Sequence, residues 1–428
     1  MKTYDKKEFD FYLNNHDKWA MIFEVTFKNI RLKEPDATPV PYISSSKCST
    51  LVFNMPKQNT SKAKRKYKKA KQVDNGRVMQ SELLTTIVTE TDFLIIMEQY
   101  SWQEIRFGKI KVAKKKPIPK ELKKKILEFY FNKTALKQDE DDPNYDEDKA
   151  YNCARAKEMV NGIYGMHCTN PCRSDFEFDE RSHLIIESKR DDEELLEEYY
   201  NSFSSFLSYQ VGIWCTSYAR LWLEEGIRAC RREVTLEDGT KKIVNDLIYC
   251  DTDSCKFLNP SLHEAAFKEI NDRRIALAEK KGAYVDFNGK RYHLGIYTDE
   301  PKALAFKTFG AKKYMYSYMV KDKDTKELKE TYKITISGVP KKKGKACIDE
   351  AIKKGKLKSP FDLSKGFVFR GIKTTSCYMD HDKIHEFEVE GKKVYFASNV
   401  AMYPSSYTLG LTYEFELMLE KYKDYMEV

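Results

Sequence analysis

The sequence predicts an α+β protein in which antiparallel strands and long helices share the chain. Apolar residues alternate with smaller or polar ones through 19–27, the period-2 pattern of a half-buried strand. Helical patterns recur at 88–100, 117–137 and 150–165, the first of them with a capping signal at its start. A short hairpin at 247–257 and a strand-rich tail from about residue 358 complete the antiparallel part.

The pattern at 117–137 is the strongest helical signal, because prolines mark its start and an apolar stripe follows. The acidic stretch QDEDDPNYDED (138–148) then predicts a loop between two antiparallel helices, the second at 150–165. A further acidic run at 191–200 opens a helical region that is expected to continue to Cys230. The stripe in the first helix consists of Leu122, Ile126, Phe129 and Tyr130.

The second half of the chain is less regular. TLEDGTKK (235–242) predicts a turn that leads into the 247–257 hairpin, and the stretch 260–345 is expected to mix strands and loops. Lysines concentrate in two stretches, SKAKRKYKKAK (61–71) and PKKKGK (340–345). Each stretch is compatible with a solvated loop and with a nucleic-acid contact. In the tail, turns are expected near Glu390–Gly391 and Pro404.

Composition limits the class of protein. The 428 residues are enough for one large domain or two to three ordinary ones. A formal charge of +9 with 33% charged residues suits a polyanionic partner without requiring one. No apolar run is long enough to span a membrane, so no membrane partner is expected. The ten cysteines lack any CxxC pair, which indicates reduced core residues in a cytoplasmic protein rather than a disulfide frame or zinc site.

The stretch LIYCDTDSCKF (247–257) places Asp251 and Asp253 one residue apart between apolar flanks. A hairpin of two buried strands would present them at its tip, either as a polar turn without chemistry or as ligands of a divalent metal. The flanks favour the metal, because a buried hairpin that ends in two anions is costly unless a cation or solvent faces them. Mg²⁺ keeps waters and substrate phosphates around it, so such a tip suits phosphoryl transfer with two metal ions.

A second group of residues shares one face of the helix at 150–165, through offsets of four, seven and eight residues: Lys157, Asn161, Tyr164 and Gly165. The lysine supplies a cation for a polyphosphate, the tyrosine a flat ring for a base or sugar, and the glycine room for a bulky partner. Taken alone, an amphipathic helix with a solvated lysine is the favoured interpretation. Together with YCDTDS downstream, the functional interpretation is favoured.

With these motifs the sequence resembles family B DNA polymerases, in particular the protein-primed branch of phages and linear plasmids. KEMVNGIYG (157–165) is similar to that family's K-x3-N-x2-Y-G finger motif, and YCDTDS (249–254) is similar to its palm motif with metal-binding aspartates. CTSYAR (215–220) resembles the T-x2-A-R template-contacting motif, and AKKYMY (311–316) resembles the K-x-Y motif near the primer end. The motifs occur in the family's order, although the last two would be weak singly.

The resemblance implies a right-hand polymerase fold with an antiparallel palm sheet, helical fingers and a small β-rich thumb. It implies nucleotidyl transfer from a dNTP to a primer 3'-OH on template DNA, with two Mg²⁺ ions, or Mn²⁺ in their place, as cofactors. Asp253 would be the main metal ligand, with Asp251 beside it. Residues implied to bind the incoming nucleotide are Lys157, Asn161, Tyr164, Gly165 and Thr252, together with Lys133, which fits a solvated side chain equally well. Residues implied to contact primer-template DNA are Thr216, Arg220, Lys312, Tyr314, Lys341, Lys342, Lys343 and Lys345.

The same resemblance divides the chain into functional regions. Segments 51–116 and 166–205 fall where protein-primed members carry insertions that encircle DNA and support priming and strand displacement. The remaining regions would be the palm at 1–50 and 206–345, the fingers at 117–165 and the thumb at 346–428.

One motif of the family is missing. Its first palm motif, D-x2-S-L-Y-P or close to it, supplies the other shared metal ligand, and neither YDKKEFDF (4–11) nor VAMYPSSY (400–407) fits it. Two metals about 3.5–4 Å apart need carboxylates from both sides, and one hairpin cannot supply both. We therefore expect a carboxy-terminal polymerase part without the exonuclease domain. Its expected partners are an amino-terminal segment with the first palm motif, primer-template DNA, dNTP and, where priming uses a protein, a terminal protein.

Two alternatives stay open. A reverse transcriptase or RNA polymerase usually carries two adjacent aspartates in its palm hairpin, whereas Thr252 separates them here. A catalytically inactive subunit that keeps the polymerase shape and binds primer-template is compatible with the missing motif.

Overall fold

The structure is a computed structural model. It describes residues 6–53, 72–74, 76–138, 145–179, 184–188, 190–203, 205, 208–321, 327–378, 385–389, 392–396, 401–413, 415–416 and 419–420. Its helices are α1 (Lys6–Asn14), α2 (Glu90–Gln99), α3 (Lys120–Ala135), α4 (Glu147–His167), α5 (Asp192–Asn201), α6 (Tyr209–Ala229), α7 (Pro260–Lys281) and α8 (Lys341–Lys353).

The strands of the first half are β1 (Trp19–Leu32), β2 (Cys48–Val52), β3 (Val73–Asp74), β4 (Arg77–Val78), β5 (Gln80–Thr89), β6 (Tyr100–Ser101), β7 (Glu104–Lys114), β8 (Asp175–Asp179) and β9 (Leu184–Ser188). Those of the middle are β10 (Arg231–Thr235), β11 (Lys241–Asn245), β12 (Leu247–Asp251), β13 (Ser254–Phe257), β14 (Tyr284–Phe287) and β15 (Lys290–His293). The last are β16 (Ala303–Thr308), β17 (Lys313–Lys321), β18 (Leu328–Ile336), β19 (Val368–Tyr378), β20 (His385–Val389), β21 (Lys392–Phe396) and β22 (Ala401–Thr408).

The long strand β1 organises an antiparallel sheet. It pairs with β5 along one edge and with β7 and β6 along the other, and β2 pairs with the far edge of β5. The alternating pattern at 19–27 is confirmed, since Met21, Phe23, Val25 and Phe27 are at most 1% exposed. The sheet also includes strands from 80–114, most of the segment that the sequence assigns to an insertion between palm motifs. The mixed α+β class is therefore confirmed.

The buried face of this sheet is covered by α1 and α2. Phe9 of α1 stacks on Phe107 of β7, with ring centroids 3.9 Å apart, and Phe93 of α2 meets Phe23 edge-on at 5.4 Å. The predicted capped helix at 88–100 is confirmed. Thr89 accepts a hydrogen bond from the Asp92 backbone N–H and donates its own backbone N–H to the Asp92 carboxylate, a capping box.

The two predicted helices at 117–137 and 150–165 are confirmed as α3 and α4. They lie against each other, since Cys153 Sγ donates a hydrogen bond to the Lys133 carbonyl at 3.4 Å. The Gln138 side chain exchanges two hydrogen bonds of 2.9 Å with the backbone of Asp146, where α4 is capped. The expected acidic loop at 138–148 lies partly outside the described residues.

The continuous helical region expected from 191 to Cys230 is wrong. The chain leaves α5 at Ser202, whose backbone is extended, and α6 begins only at Tyr209. Serines cluster in the intervening NSFSSFLS, and serine side chains compete with the helical hydrogen bonds of the backbone. The predicted turn at 235–242 connects β10 to β11, with Gly239 in the left-handed region at φ 80°.

The expectation of strands and loops throughout 260–345 is also wrong, because α7 occupies 22 residues of it. Its buried face carries His263 and Arg274 besides Ile270 and Ala278, so the sequence lacks the apolar stripe that announces a helix. The helix ends at Gly282 with φ 57°, and the Asn288–Gly289 turn of the next hairpin has two positive φ angles, as a type I′ turn requires.

The chain divides into two compact units, Met1–Ser174 with Lys189–Tyr297 and Asp175–Ser188 with Thr298–Val428. Apart from Asp175–Ser188, the second unit consists of Thr298–Val428, whereas the sequence analysis divides palm from thumb at 345. Its three-stranded antiparallel sheet β16–β17–β18 packs on α8 through Met315, Ile334 and Ile348, each at most 2% exposed. The strand-rich tail is confirmed by β19–β22.

Two predictions in the second unit need correction. The lysines at 341–345 are not in a loop; they form the first turns of α8, whose Ile348 and Ala351 are buried one helical turn apart. Pro404 lies inside β22 rather than in a turn, at a register irregularity between the pairs Lys373↔Ser405 and Ser376↔Tyr403. A proline fits there because it has no N–H to donate to the ladder. The expected turn at Glu390–Gly391 and the basic run at 61–71 lie outside the described residues.

Among the described residues, no helix combines the length and the hydropathy that crossing a membrane requires.

Candidate active site at the 247–257 hairpin

The tip of the β12–β13 hairpin carries the two aspartates, as the sequence predicts. Asp251 pairs with Ser254, and Thr252 and Asp253 form the turn, in which the Asp253 N–H donates to the Asp251 carbonyl at 2.6 Å. Thr252 lies in the left-handed region at φ 54°, which is rare for a β-branched residue. Its hydroxyl donates a 2.9 Å hydrogen bond to Asp251 Oδ1, which fixes the rotamer of that carboxylate.

The two carboxylates differ in exposure. Asp253 is exposed, and its carboxylate accepts no hydrogen bond from any described residue, whereas Asp251 is half-buried. The expectation that both arms of the hairpin are buried is wrong, because Ile248 is 44% exposed and Leu247 is half-buried. Within the described residues, β12 and β13 form a two-stranded sheet on their own, so no further strand pairs with either edge of the hairpin.

The base of the hairpin is held by Asp246, which sequence reasoning missed. The Asp246 backbone donates to the Cys230 carbonyl and accepts from the Leu258 N–H, both at 2.9 Å. Its side chain is 6% exposed, and Oδ2 accepts from Arg232 at 2.8 Å, Asn259 at 3.0 Å and His263 at 3.1 Å. Burial alone would raise the pKa of this carboxyl, but these hydrogen bonds and the Arg232 charge lower it to about 2. Asp246 is therefore a permanent anion that ties β12 to β10 and α7.

The inner side of the hairpin lies against α6 at Gly226. A Cβ at this position would stand 2.3 Å from the Tyr297 hydroxyl and 3.2 Å from Cys255 Sγ, so only glycine permits the approach. Burial, followed by the neighbouring Cys250, raises the pKa of the Cys255 thiol to about 12. The thiol therefore stays neutral at physiological pH and adds no third charge beneath the aspartates.

The second predicted group lies on α4. Lys157, Asn161 and Gly165 are exposed, and Lys157 forms no ion pair within the described part of the chain. Tyr164 is half-buried, and its burial, followed by a hydrogen bond with Cys168, raises the pKa of the phenol. Nothing lies within 4 Å of a Cβ built at Gly165, so the protein itself does not require glycine there.

Lys133 lies on α3, the neighbouring helix. It is half-buried, and its Nζ lies 5.5 Å from the centroid of the Tyr130 ring, one turn earlier on the same helix. This cation–π contact is compatible with either interpretation of Lys133 offered by the sequence.

Helix α6 joins the two groups. At its start, Gly212 meets the end of α4, where a Cβ would clash with Cys168 Sγ. Near its end, Gly226 meets the hairpin. The two contact points are fourteen residues apart, or about 21 Å along the helix axis at 1.5 Å per residue. The structure thus attaches both predicted groups to one helix but at opposite ends of it.

Arg220 of α6 is expected to contact the template. In the structure it forms a partly buried ion pair with Asp92 inside the first unit. Its Nε and Nη2 donate to the Asp92 carboxylate at 2.9–3.1 Å, and Ser217 Oγ donates to the same carboxylate at 3.0 Å. Asp92 is 5% exposed, whereas the Arg220 side chain remains 36% exposed. The Tyr42 hydroxyl also interacts with the guanidinium, so Arg220 is engaged by two residues of the first unit. Thr216 donates back to the carbonyls of Gly212 and Ile213 within its helix.

A second buried carboxylate, Glu90, docks α6 on the sheet. It is fully buried and accepts from the Trp214 indole N–H at 2.9 Å and from the Met21 backbone N–H at 2.8 Å. Lys115 Nζ lies 2.8 Å from it. The only sequence signal for Glu90 and Asp92 is their position in the first turn behind the capping Thr89.

The remaining predicted DNA contacts lie in the second unit. Lys312 is exposed, in the β16–β17 turn, with φ 58°. Tyr314 is half-buried, and its ring stacks on Phe306 with centroids 5.7 Å apart. Lys341, Lys342 and Lys343 are exposed in the first turn of α8.

The described side chains around the hairpin tip do not form a complete set of metal ligands. Within the described residues, no group of three or more histidine, cysteine, aspartate or glutamate side chains is arranged to hold a metal ion. Asp251 and Asp253 are two oxygen donors at an open tip. Mg²⁺ commonly binds through one or two carboxylates and completes its shell with waters and substrate phosphates. The residues present therefore fit one side of a magnesium site, and not a complete protein cage.

Solved structures of a DNA polymerase are similar to this chain. They include phi29 DNA polymerase complexed with primer-template DNA, with a TM-score of 0.48 and 16% identity, and phi29 DNA polymerase in an orthorhombic crystal form, with a TM-score of 0.45 and 15% identity. Each comparison covers 95% of this chain and 52% of the polymerase, so the chain spans about half the length of those polymerases. The sequence matches no protein-family model and no curated protein.

Proposed function

We propose that the chain carries out template-directed DNA synthesis by nucleotidyl transfer from a dNTP to a primer 3'-OH. The observation that carries this proposal is the Asp253 carboxylate, exposed and without a described hydrogen-bond partner, at the tip of a hairpin whose base is locked by Asp246. A carboxylate in that situation is available to a cation, and its neighbour Asp251 is held in one rotamer by Thr252. The motif resemblance to protein-primed family B polymerases supplies the reaction class.

In this proposal Asp251 and Asp253 hold Mg²⁺ from one side. Bound there, the metal would supply Lewis acidity for the charge that develops on the transferred phosphate. The chain's own part is to fix two oxygens on a rigid turn, and Asp246 performs that task from the base of the hairpin.

The nucleotide would lie along α4. Lys157 is an exposed cation without a described ion-pair partner, which suits a triphosphate. Asn161, Tyr164 and Gly165 follow Lys157 on the same helix and would line the nucleotide. Thr252, at the hairpin tip, would contact the same nucleotide. Lys133 on α3 is a further cation for the phosphates.

DNA would contact several separate surfaces. Arg220 would offer the part of its side chain that remains exposed, 36%, beside Asp92 and Tyr42. Lys312 and Tyr314 at one turn, and Lys341, Lys342 and Lys343 at the start of α8, would contact the phosphates, which carry no sequence information.

The complementary carboxylate would come from an amino-terminal segment that carries the first palm motif. We propose further that this segment is encoded on a separate polypeptide and that a terminal protein serves as the primer. The test is primer extension with Mg²⁺ by the purified chain, alone and mixed with that segment. We expect no extension by the chain alone and restored extension by the mixture.

The same assay is repeated with Asp253→Asn and with Asp238→Asn as a matched control, because Asp238 is an exposed aspartate in the neighbouring β10–β11 turn. Extension that survives Asp253→Asn contradicts the proposal.

The alternative function is an inactive subunit that binds primer-template. It is favoured by one observation, that the described residues bring no third metal-ligand side chain to Asp251 and Asp253. Binding to primer-template that never leads to synthesis with any added segment would select this alternative. A chain that binds neither primer-template nor single-stranded DNA would exclude both.

A further inference from the structure

A polar cavity lies on the β1 sheet, remote in sequence from the motifs discussed above. Its volume is about 410 Å³, within the range of small-ligand sites. It is open to solvent and is lined by Asn29, Arg31, Gln80, Ser101, Trp102 and Gln103. All of these residues belong to the first unit. We call it the amide cavity.

The backbone at the amide cavity is unusual. Asn29 lies in the left-handed region at φ 51°, at the point where β1 passes from pairing with β7 at Lys28 to pairing with β6 at Arg31. The Asn29 side chain Nδ2 donates a 2.6 Å hydrogen bond to Gln103 Oε1. The two amides are therefore oriented by each other, and the pair keeps one unused acceptor, on Asn29, beside unused donors, on Gln103.

Ser101 Oγ donates a 3.5 Å hydrogen bond to the Arg31 carbonyl, and, apart from the Asn29–Gln103 pair, the remaining polar side chains of the cavity have no hydrogen-bond or ion-pair partner in the described part of the chain. Arg31 forms no ion pair there, and the Gln80 amide and the Trp102 indole N–H make no side-chain hydrogen bond there. The Trp102 ring packs on Phe27 at 5.0 Å between centroids, so its position is fixed by the core. No acidic side chain lines the cavity.

These groups select a ligand chemistry. A single cation, several amide donors and acceptors and one indole match a nucleotide, which offers a phosphate, a base edge with donors and acceptors and an aromatic ring. An acidic peptide would use Arg31 but not the oriented amide pair. An uncharged ligand would leave the Arg31 cation unused.

We propose that the amide cavity binds one nucleotide unit, with Arg31 on its phosphate and the Asn29–Gln103 amide pair on its base edge. Neither Asp251 nor Asp253 lines the amide cavity. The choice of DNA as its ligand rests on the proposed function. The nucleotide unit comes either from single-stranded DNA or from a free nucleotide, and the experiment distinguishes the two.

The experiment measures binding of fluorescent dT12 to the full chain by anisotropy in EDTA, at several salt concentrations. Arg31→Ala is compared with Arg106→Ala, a matched control, because Arg106 is an 81% exposed arginine of the same sheet that does not line the cavity. We expect Arg31→Ala to weaken binding about fivefold at 0.1 M salt and to reduce the slope of log K against log salt by about 0.7, the loss of one single-strand phosphate contact. Arg106→Ala should change neither quantity.

Two further arms identify the ligand. A dT12 strand with 5-iododeoxyuridine should photo-crosslink to Trp102 or its neighbours, as mapped by mass spectrometry. Unlabelled dTTP, dT12 and poly-glutamate are compared as competitors. If dT12 competes at far lower concentrations than dTTP, the ligand is single-stranded DNA. If dTTP competes at concentrations comparable to those of dT12, the ligand is the free nucleotide. Equal displacement by poly-glutamate, or equal affinities of wild type and Arg31→Ala, overturns the proposal.

Failure of this inference and failure of the proposed function are distinguishable. The binding assay contains no metal and no partner segment, so it does not depend on synthesis. A chain that extends primers through Asp253 while Arg31→Ala binds dT12 normally refutes the amide cavity alone. A chain that binds dT12 through Arg31 but never supports synthesis refutes the polymerase proposal alone.

Discussion

Asp246 and Asp253 are seven residues apart on the same hairpin, and their surroundings are opposite. Asp246 at the base is 6% exposed and accepts three side-chain hydrogen bonds, whereas Asp253 at the tip is exposed and accepts none from the described residues. A buried carboxylate is tolerated only when donors and a countercharge accompany it. The described residues supply them at the base and not at the tip.

The comparison extends to two further buried carboxylates. Asp92 is held by Arg220 and Ser217, and Glu90 by Trp214 and Lys115. These two buried acids of the first unit therefore join elements to one another. The difference predicts that substitutions at the base change stability first, and that substitutions at the tip change activity alone.

The largest expected effect is at the tip. Asp253→Asn removes the proposed metal ligand, whose charge stabilisation would be worth about 4 kcal/mol, and should lower primer-extension rates of the assembled protein about 10³-fold. The melting temperature should not change, because the Asp253 carboxylate accepts no hydrogen bond from any described residue. Single-turnover extension and thermal melting measure the two quantities. Loss of stability in this variant would break the comparison.

At the base, Asp246→Asn should lower the free energy of unfolding by about 3 kcal/mol, since it leaves the buried Arg232 and His263 contacts without their anion. Urea denaturation followed by circular dichroism measures the change. Asp238→Asn serves as the control, because Asp238 is exposed in the adjacent turn. An Asp246→Asn protein as stable as the control would show that the base is not locked by charge.

Acid should reproduce part of that loss. The pKa of Asp246 falls from 3.8 to about 2 on folding, so its ionisation stabilises the folded state above pH 4. This contribution, about 2 kcal/mol by linkage, disappears as the pH drops through 2. The stability difference between wild type and Asp246→Asn should therefore shrink from pH 5 to pH 2. A difference that stays constant over this interval would contradict the assigned ionisation.

The smallest effect is expected on α4. Lys157→Ala should raise the KM for dNTP about tenfold, equivalent to 1.4 kcal/mol, with kcat nearly unchanged. Lys149→Ala is the control, because Lys149 is exposed on the same helix and lies 3.7 Å from Asp146. Steady-state kinetics of the assembled protein separates KM from kcat. Equal KM values for the two variants would remove Lys157 from the nucleotide site.

The sequence predicts the tip of the hairpin better than its supports. Strand alternation at 19–27 and the α3–α4 helix pair are local patterns, so both are predicted correctly. Asp246 depends on partners 13 to 17 residues away, and Asp92 meets Arg220 across 128 residues. No local pattern announces such pairs. Helix α7 is missed for a related reason, since charged residues on its buried side hide its periodicity.

Gly226 has one more consequence. Because a side chain there would meet Tyr297 and Cys255, the missing methyl group sets the spacing between the aspartate-bearing turn and the helix behind it. A protein engineer who wished to shift the two aspartates relative to their scaffold, without altering any acidic residue, would begin at this single position.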